Sequence, residues 1–300
     1  MSKESSMGSS KAEVEVSYDV SNEFFRLWLD ERMNYTCAVY ESPEQSLEAA
    51  QLNKLRILSD FAKAGPGRKV LDIGCGWGAA LEYVATARGV TRAVGVTLST
   101  AQAAEVNARK IPGVEVVGGD FRTFATAERF DSLISICMID HLCSPEEARQ
   151  GKAIDIYRAY FKKAWELTNK GAWFGLQTIL RNRTPRMTPW GGLPAGTKKE
   201  LEDIYFVTKE IFPGGLNPRL EDIIQAANPY WEVMQVNTRR EHYQRTTAEW
   251  LRRLRLNEKT IRSTWGDKVF DDYDRYLSTC VNAFDKHYSS LAQYELRRID

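Results

Sequence analysis

The sequence has 300 residues, a length that allows one elaborated domain or two small ones around a large core. Its 41 lysines and arginines balance 40 aspartates and glutamates to a net charge of +1, so we expect no nucleic-acid partner and no attraction to an anionic membrane. Five cysteines without a C-x-x-C pair argue against a disulfide framework and a zinc site, which predicts a cytoplasmic protein without a metal.

The N-terminal part of the chain is predicted to be a disordered start followed by helices. Residues 1–16 are polar and lack the apolar stretch of a signal peptide, and the sequence has no apolar run near the roughly 20 residues needed for an integral membrane segment. Residues 17–66 contain NEFFRLWLDERM and SLEAAQLNKLRILSDFAKAG, each with apolar residues at helical spacing. We predict a helical cap over 17–66.

Residues 67–180 alternate strand and helix patterns, which predicts a parallel sheet covered on both faces. The first strand runs into the glycine loop LDIGCGWG, with glycines at positions 74, 76 and 78. A glycine turn before a helix lets backbone N–H groups approach a nucleotide closely. The spacing lacks the last glycine of G-x-G-x-x-G, and this counts against NAD or FAD.

The ends of the next strands carry residues suited to a nucleotide. The second strand is followed by Thr97 and Leu98, the third by Asp120 and Phe121, and the fourth by Asp140. Together with the glycine loop, they favour S-adenosylmethionine (SAM), whose methionine, ribose and adenine would lie along successive strand ends. Two alternatives stay open: a glycine loop that only shapes a turn, and a dinucleotide enzyme.

The C-terminal part interrupts and then completes the sheet. Residues 181–230 are rich in proline, glycine and basic side chains and are predicted to be a lid insertion that contacts substrate. Residues 231–300 contain a strand near Trp231 to Thr238, helices from about 245 to 288 and a last alternating segment, LAQYELRR. The predicted fold is a doubly wound α/β SAM-methyltransferase (Rossmann-like) sheet with an antiparallel last strand, N-terminal helices and a helical lid.

Several motifs together resemble the cyclopropane-fatty-acid and mycolic-acid cyclopropane synthases, in their order and approximate spacing. These motifs are YDVSNEFFRLWLDERMNYTCAVY, EAAQLNKL, LDIGCGWG, GVTLSTAQ, IDHL, TKEIFPGG, EHYQRTTAEW and YDRYLSTCVNAF. The resemblance extends from Tyr18 to about residue 290 and implies a SAM-dependent enzyme that methylates carbons of isolated double bonds in lipids. Relatives that methylate prenyl diphosphates, and some N-methyltransferases, belong to the same group.

The resemblance also implies which residues bind the cofactor. They are Tyr35, Thr36, Asp72, Gly74, Gly76, Thr97, Leu98, Gln102, Asp120 and Phe121. At the end of the second strand, Thr97 and Leu98 replace the acidic residue that usually binds the ribose, as they do in this family. Where the family has tryptophan and then glutamate beside the adenine, this chain has Asp120 and Phe121, so the aromatic ring is kept at a shifted position.

Methylation of an isolated alkene requires a dry pocket, electron-rich faces for a carbocation and one base. The cyclopropane synthases hold a bicarbonate ion as the base, and Cys37 and Tyr243 match two of its ligands. The family's glutamate is Asp140 here, and its histidine is Gln177. These changes make bicarbonate doubtful and favour Asp140 as the base, with a purely structural acid as the alternative.

Aromatic and basic residues are the candidates for substrate binding. Tyr18 matches a family position at the substrate, and Tyr205 and Phe212 are aromatic candidates for the pocket wall, with ordinary core packing as the alternative. Arg181, Arg183 and Arg186 could bind a diphosphate, or form a solvated basic loop. Mg²⁺ is expected only if the substrate is a diphosphate. Cys137, beside an apolar strand, is expected to be a small core residue.

Four functions remain open from the sequence. The first is C-methylation of an alkene in a small apolar metabolite, such as a prenyl diphosphate, followed by proton loss. The second is a cyclopropane synthase acting on unsaturated acyl chains. A SAM-binding module without catalysis and an N-methyltransferase are the others, and the oligomeric state is not indicated.

Overall fold

The computed structural model describes residues 21–182 and 196–300, which form a seven-stranded mixed sheet with helices on both faces. The strands are β1 (Lys69–Ile73), β2 (Arg92–Thr97), β3 (Val114–Gly118), β4 (Phe130–Ile136), β5 (Thr168–Arg181), β6 (Trp231–Thr238) and β7 (Ser289–Arg298). Their order across the sheet is β3-β2-β1-β4-β5-β7-β6. β7 is antiparallel to both of its neighbours, while β1 to β5 pair in parallel.

Helices connect the strands. They are α1 (Asn22–Arg26), α2 (Leu47–Phe61), α3 (Ala79–Ala87), α4 (Thr100–Ala108), α5 (Pro145–Arg149), α6 (Ala153–Glu166), α7 (Thr197–Phe206), α8 (Leu220–Ala227), α9 (Arg240–Leu256), α10 (Glu258–Trp265) and α11 (Asp267–Asp285). A short 3₁₀ helix covers Ile139–His141, and a π-helical turn covers Val207–Ile211.

The predicted fold class is confirmed. The strand order reverses between β1 and β4, and this topological switch point is where doubly wound sheets bind their ligands. The strand predicted near Trp231 to Thr238 is found at these residues. The division of the chain into five segments stays a prediction.

The first predicted helix is shorter than its apolar pattern indicated. α1 ends at Arg26, and the chain then turns around the Asp30 carboxylate, which accepts hydrogen bonds from the backbone N–H groups of Arg32 (3.2 Å) and Asn34 (2.7 Å). Met33 has a φ of 57°, in the left-handed region. A side chain that offers acceptors to nearby N–H groups competes with a helix, and here it stabilises the turn that follows α1.

α2 packs unusually closely on the middle of the sheet. A Cβ atom at Gly175 in β5 would lie 2.3 Å from the carbonyl oxygen of Leu58, so only glycine permits this approach. The close contact fixes the buried face of α2, which carries Gln51 and Lys54, over the carboxyl ends of the strands.

An aromatic cluster lies above this end of the sheet. Its members come from α1, the segment after it, the glycine loop, the end of the π-helical turn, α9 and α11; they are Phe24, Phe25, Trp28, Tyr35, Trp77, Phe212, Tyr243, Trp250, Tyr273, Tyr276 and Phe284. Ring centroids of neighbouring members are 4.5 to 6.5 Å apart, a range typical of packed aromatic pairs. Within the described ranges, no helix is both long and apolar enough to cross a membrane.

Candidate active site

The glycine loop opens a pocket at the end of β1. Gly74, Gly76 and Gly78 have φ values of 82°, 52° and 77°, a region that side chains rarely adopt. A Cβ atom at Gly74 would lie 2.6 Å from the Cβ of Met138. At Gly76 the nearest atom to such a Cβ is the Gln102 Nε2, 4.0 Å away, so this glycine faces open space in the pocket.

Six of the predicted cofactor residues line this one pocket. They are Tyr35, Thr36, Asp72, Gly74, Gly76 and Gln102. Two more lie directly beside it, because the Thr97 hydroxyl donates a hydrogen bond to Gln102 (2.9 Å) and Leu98 follows Thr97 in the turn before α4. Cofactor binding by each of these residues stays a prediction.

Asp72 supplies the pocket with a buried acceptor. Its side chain is 2% exposed, and its Oδ1 atom has no hydrogen-bond partner among the described residues. Burial raises the pKa of Asp72 to about 7, and Lys54 opposes this rise. An unsatisfied buried carboxylate is costly, so the site suits a ligand that carries an ammonium group, as SAM does.

The third strand end is not part of the lining of the pocket at the glycine loop. Asp120 forms an ion pair with Arg122 (2.6 Å) and lines a separate groove beside β3. The Phe121 ring is 4% exposed and packs edge-on against Tyr160, with centroids 5.5 Å apart. In this position the Phe121 side chain packs in the core between β4 and α6, and cofactor binding by Asp120 and Phe121 stays a prediction.

Asp140 lies in the 3₁₀ helix after β4, at the edge of the aromatic cluster. The Thr178 hydroxyl donates a hydrogen bond to one oxygen of its carboxylate, and the Ile179 N–H donates to the other (3.4 Å). Burial raises the pKa of Asp140 to about 7, against the lowering effect of these bonds. A carboxyl group with this pKa is suited to accept a proton near neutral pH.

The Cys137 thiol stands between Asp140 and Gln177. It lies within hydrogen-bonding reach of the Asp140 carboxylate, and the Gln177 amide donates to its sulfur (3.8 Å). The Gln177 oxygen in turn accepts from Gln293 (2.9 Å), which fixes the orientation of the amide. Cys137 has a φ of 58°, a value that residues other than glycine rarely adopt.

Cys37 and Tyr243 complete the group of residues that the resemblance implied. The Cys37 thiol is fully buried and donates to the carbonyl oxygen of Ala38 (3.1 Å). The Tyr243 ring stacks on Phe284, with centroids 4.5 Å apart. Burial and the neighbouring Cys137 and Cys37 raise the pKa of Tyr243 well above its usual value, so its hydroxyl stays protonated.

The residues predicted to contact substrate are more scattered. Phe212 lies between Tyr35 and Tyr276, with centroids 6.2 and 5.6 Å away. Tyr205 is 65% exposed on α7, and its place in a pocket wall stays a prediction. Tyr18, Arg183 and Arg186 lie outside the described residues.

Arg181 lies at the end of β5, beside α8. Its guanidinium lies 4.0 Å from the Asp222 carboxylate of α8, and its backbone N–H donates to Pro218 (3.0 Å). Its Nε has no hydrogen-bond partner among the described residues, and phosphate binding by Arg181 stays a prediction.

Two residues that lie at the site were not predicted to lie there from the sequence. Lys54 is fully buried and lines the cofactor pocket, and the signal that marks it is a lysine on the apolar face of α2, next to Gln51 and Leu55. Cys137 carries no such signal, because a positive φ is not visible in the sequence. No group of three or more metal-binding side chains is found in the part of the chain that the structure describes.

The raised pKa values predict a pH-dependent stability. Asp72 and Asp140 have a pKa of about 7 in the folded protein, above the ordinary value of about 4, so the folded state binds more protons between these pH values. The free energy of unfolding should therefore fall as the pH rises from about 4 to about 7. Asp140→Asn should reduce this dependence on pH, as measured by urea unfolding at several pH values. An identical dependence in the variant would contradict a raised pKa of Asp140.

Comparisons with known proteins give one consistent result. Residues 5–294 match the family model described as mycolic acid cyclopropane synthetase. Cyclopropane mycolic acid synthase 2 of Mycobacterium bovis is 30% identical over 291 residues, which cover 94% of this chain and 93% of the relative. The SAM-dependent methyltransferase UmaA of Mycobacterium tuberculosis is 30% identical over 289 residues, covering 94% and 95% of the two chains.

Solved structures agree with the family match. The cyclopropane synthase MmaA2 of M. tuberculosis superimposes with a TM-score of 0.84 at 28% identity, covering 97% of this chain and 99% of the other. The cyclopropane synthase CmaA1 in complex with SAH and CTAB gives 0.85 with the same identity and coverage. The chain belongs to the mycolic acid cyclopropane synthetase family and is a SAM-dependent methyltransferase, with SAM as its cofactor.

Proposed function

We propose that this enzyme methylates a carbon of an isolated double bond in an unsaturated acyl chain, and that Asp140 accepts the proton lost afterwards. The named relatives are cyclopropane mycolic acid synthases, and CmaA1 binds the lipid-like ligand CTAB, which supports an acyl substrate. The prediction that placed a prenyl diphosphate first receives no such support. Among the functions left open by the sequence, the acyl-chain alternative therefore fits better.

The chemistry sets three demands on the protein. SAM supplies an electrophilic methyl group on a sulfonium centre. The alkene is a weak nucleophile, and its methylation leaves a carbocation that water would capture. The protein must exclude water, offer electron-rich faces to the cation and remove one proton.

The aromatic cluster supports the first two demands. Tyr35 and Trp77 belong both to the cofactor pocket and to the cluster, so the methyl donor and the aromatic rings share a boundary. Tyr243, which stacks on Phe284, is close enough to Asp140 for the two groups to interact electrostatically. Aromatic faces stabilise cations by electrostatic attraction, and their packing excludes water.

The single observation that carries the proposal is the position of Asp140. Its carboxylate is 6% exposed, held by Thr178 and Ile179, and beside Cys137 and Tyr243. A buried carboxyl group with a pKa of about 7 is ionised in a large fraction of molecules at neutral pH and becomes a stronger base than an ordinary aspartate.

The position of Cys137 supports Asp140 rather than bicarbonate as the base. The thiol lies between Asp140 and Gln177, and it is close enough to Cys37 for their charges to interact. It therefore uses the Gln177 amide, and it lies among the side chains that the resemblance associates with bicarbonate. The thiol takes up part of the space among these side chains that an ion would need.

The proposal is tested by supplying acceptors with SAM that carries a radioactive methyl group. The panel contains unsaturated fatty acids and phospholipids, their saturated counterparts, prenyl diphosphates and secondary amines. We expect label only in the unsaturated acyl substrates, because a saturated chain has no double bond to attack. Label in the prenyl diphosphates or the amines alone would refute the acyl-chain assignment.

A further inference from the structure

Lys54 is a buried cation without a buried counter-ion in direct contact. Its side chain is 0% exposed, and its Nζ donates hydrogen bonds to the Asn34 Oδ1 (2.7 Å) and the Thr36 Oγ1 (2.9 Å). Both acceptors are neutral, and Lys54 forms no salt bridge within residues 21–182 and 196–300. An ammonium group has three donors, so one N–H of Lys54 remains for a ligand.

The opposite charge lies on Asp72, in the same pocket. Within the described part of the chain, the Asp72 Oδ1 is buried without a partner, and Asp72 and Lys54 interact electrostatically without a direct hydrogen bond. Burial lowers the pKa of Lys54 to about 8, while Asp30, Cys137, Cys37 and Asp72 oppose this effect. The pocket therefore presents one incompletely paired cation and one incompletely paired anion.

This pair of charges matches the amino-acid end of SAM, which carries an α-carboxylate and an α-ammonium group. We propose that Lys54 binds the α-carboxylate of SAM through its free N–H, opposite Asp72. The neutral acceptors Asn34 and Thr36 hold the ammonium in place and leave its charge for the ligand. Charge-assisted hydrogen bonds are the strong ones, and burial strengthens them further.

The segment that accepts from Lys54 is itself rigidly held. The Asp30 carboxylate binds the Asn34 amide (2.8 Å), and the Gln51 amide donates to the Thr36 carbonyl oxygen (2.9 Å). Lys54 and Gln51 lie one turn apart on the buried face of α2, which Gly175 allows to approach the sheet. The position of the Lys54 ammonium is therefore set before the cofactor binds.

The test compares two ligands that differ only in the amino-acid end. S-adenosylhomocysteine carries the carboxylate and ammonium groups, whereas 5′-methylthioadenosine keeps the adenosine and the thioether without them. We expect Lys54→Met to weaken S-adenosylhomocysteine at least about tenfold in calorimetric titration and to leave 5′-methylthioadenosine unchanged. Lys63→Met, an exposed lysine just beyond α2, serves as the matched control with no effect on either ligand.

Two outcomes would overturn the proposal. Equal weakening of both ligands would mean that Lys54 only holds the segment 34–36, and unchanged affinity for S-adenosylhomocysteine would mean that it binds no carboxylate. Lys54→Gln is the second variant, because it keeps a donor and removes the charge if the methionine variant fails to fold. The same selective loss is expected for it. The result does not depend on the methyl acceptor, so it is independent of the proposed lipid substrate.

Discussion

Gly76→Val is expected to abolish SAM binding, while the wild-type protein binds SAM with micromolar affinity. The Cβ position at Gly76 points into open space of the cofactor pocket, so the valine methyl groups would occupy the volume that the ligand needs. The backbone φ of 52° adds strain, because β-branched residues are outliers in the left-handed region. Calorimetric titration with SAM measures the effect.

Gly67→Val is the matched control for backbone strain. Gly67 has a φ of 76° and nothing within 4 Å of its Cβ position, and it lies before β1, outside the cofactor pocket. This variant should lose stability as Gly76→Val does, yet bind SAM normally. If both variants bind SAM as well as the wild type, the glycine loop is not the cofactor site.

Asp140→Asn is expected to reduce turnover by roughly 10²–10⁴-fold without a change in SAM affinity. The amide keeps the shape of the carboxyl group but cannot accept the proton. Asp140 is absent from the cofactor pocket lining, so the cofactor should bind as before. Single-turnover rates and SAM titrations on the same preparation measure the two quantities.

Asp140→Glu is the control, because it keeps the carboxylate and restores the side chain that the resembling family has at this position. It should retain most of the activity. Turnover of the wild type should persist in carbonate-depleted buffer, and Gln177→His should introduce a dependence on carbonate. Full activity of Asp140→Asn together with inactivity in carbonate-depleted buffer would show that bicarbonate is the proton acceptor.

The sheet could be predicted well from the sequence, because buried parallel strands leave continuous apolar runs and their helices leave a 3.6-residue period. β6 was predicted at its observed residues. The first helix was predicted to be longer than α1. Apolar spacing does not show the turn after α1, in which the Asp30 carboxylate accepts hydrogen bonds from the N–H groups of Arg32 and Asn34. Side-chain competition with the helix depends on geometry that one-dimensional patterns omit.

For the site, the sequence could predict only which residues lie at the strand ends. Six predicted cofactor residues lie in one pocket because the carboxyl ends of parallel strands meet at one edge. The orientation of Phe121 into the core, the exposure of Tyr205 and the left-handed backbone of Cys137 depend on packing and could not be read from the sequence.

The most direct test of the proposed reaction uses SAM with a trideuterated methyl group and an unsaturated acyl substrate, with the product analysed by mass spectrometry. A cyclopropane keeps two of the three deuterium atoms, because the proton lost comes from the transferred methyl group. A methylated alkene keeps all three, because the proton comes from the chain. We expect the deuterated carbon of SAM to be attached to a carbon of the acyl chain, with two or three deuterium atoms, and we expect Asp140→Asn to lose this product. A deuterated methyl group on nitrogen or oxygen, with none attached to a chain carbon, would contradict the proposed reaction.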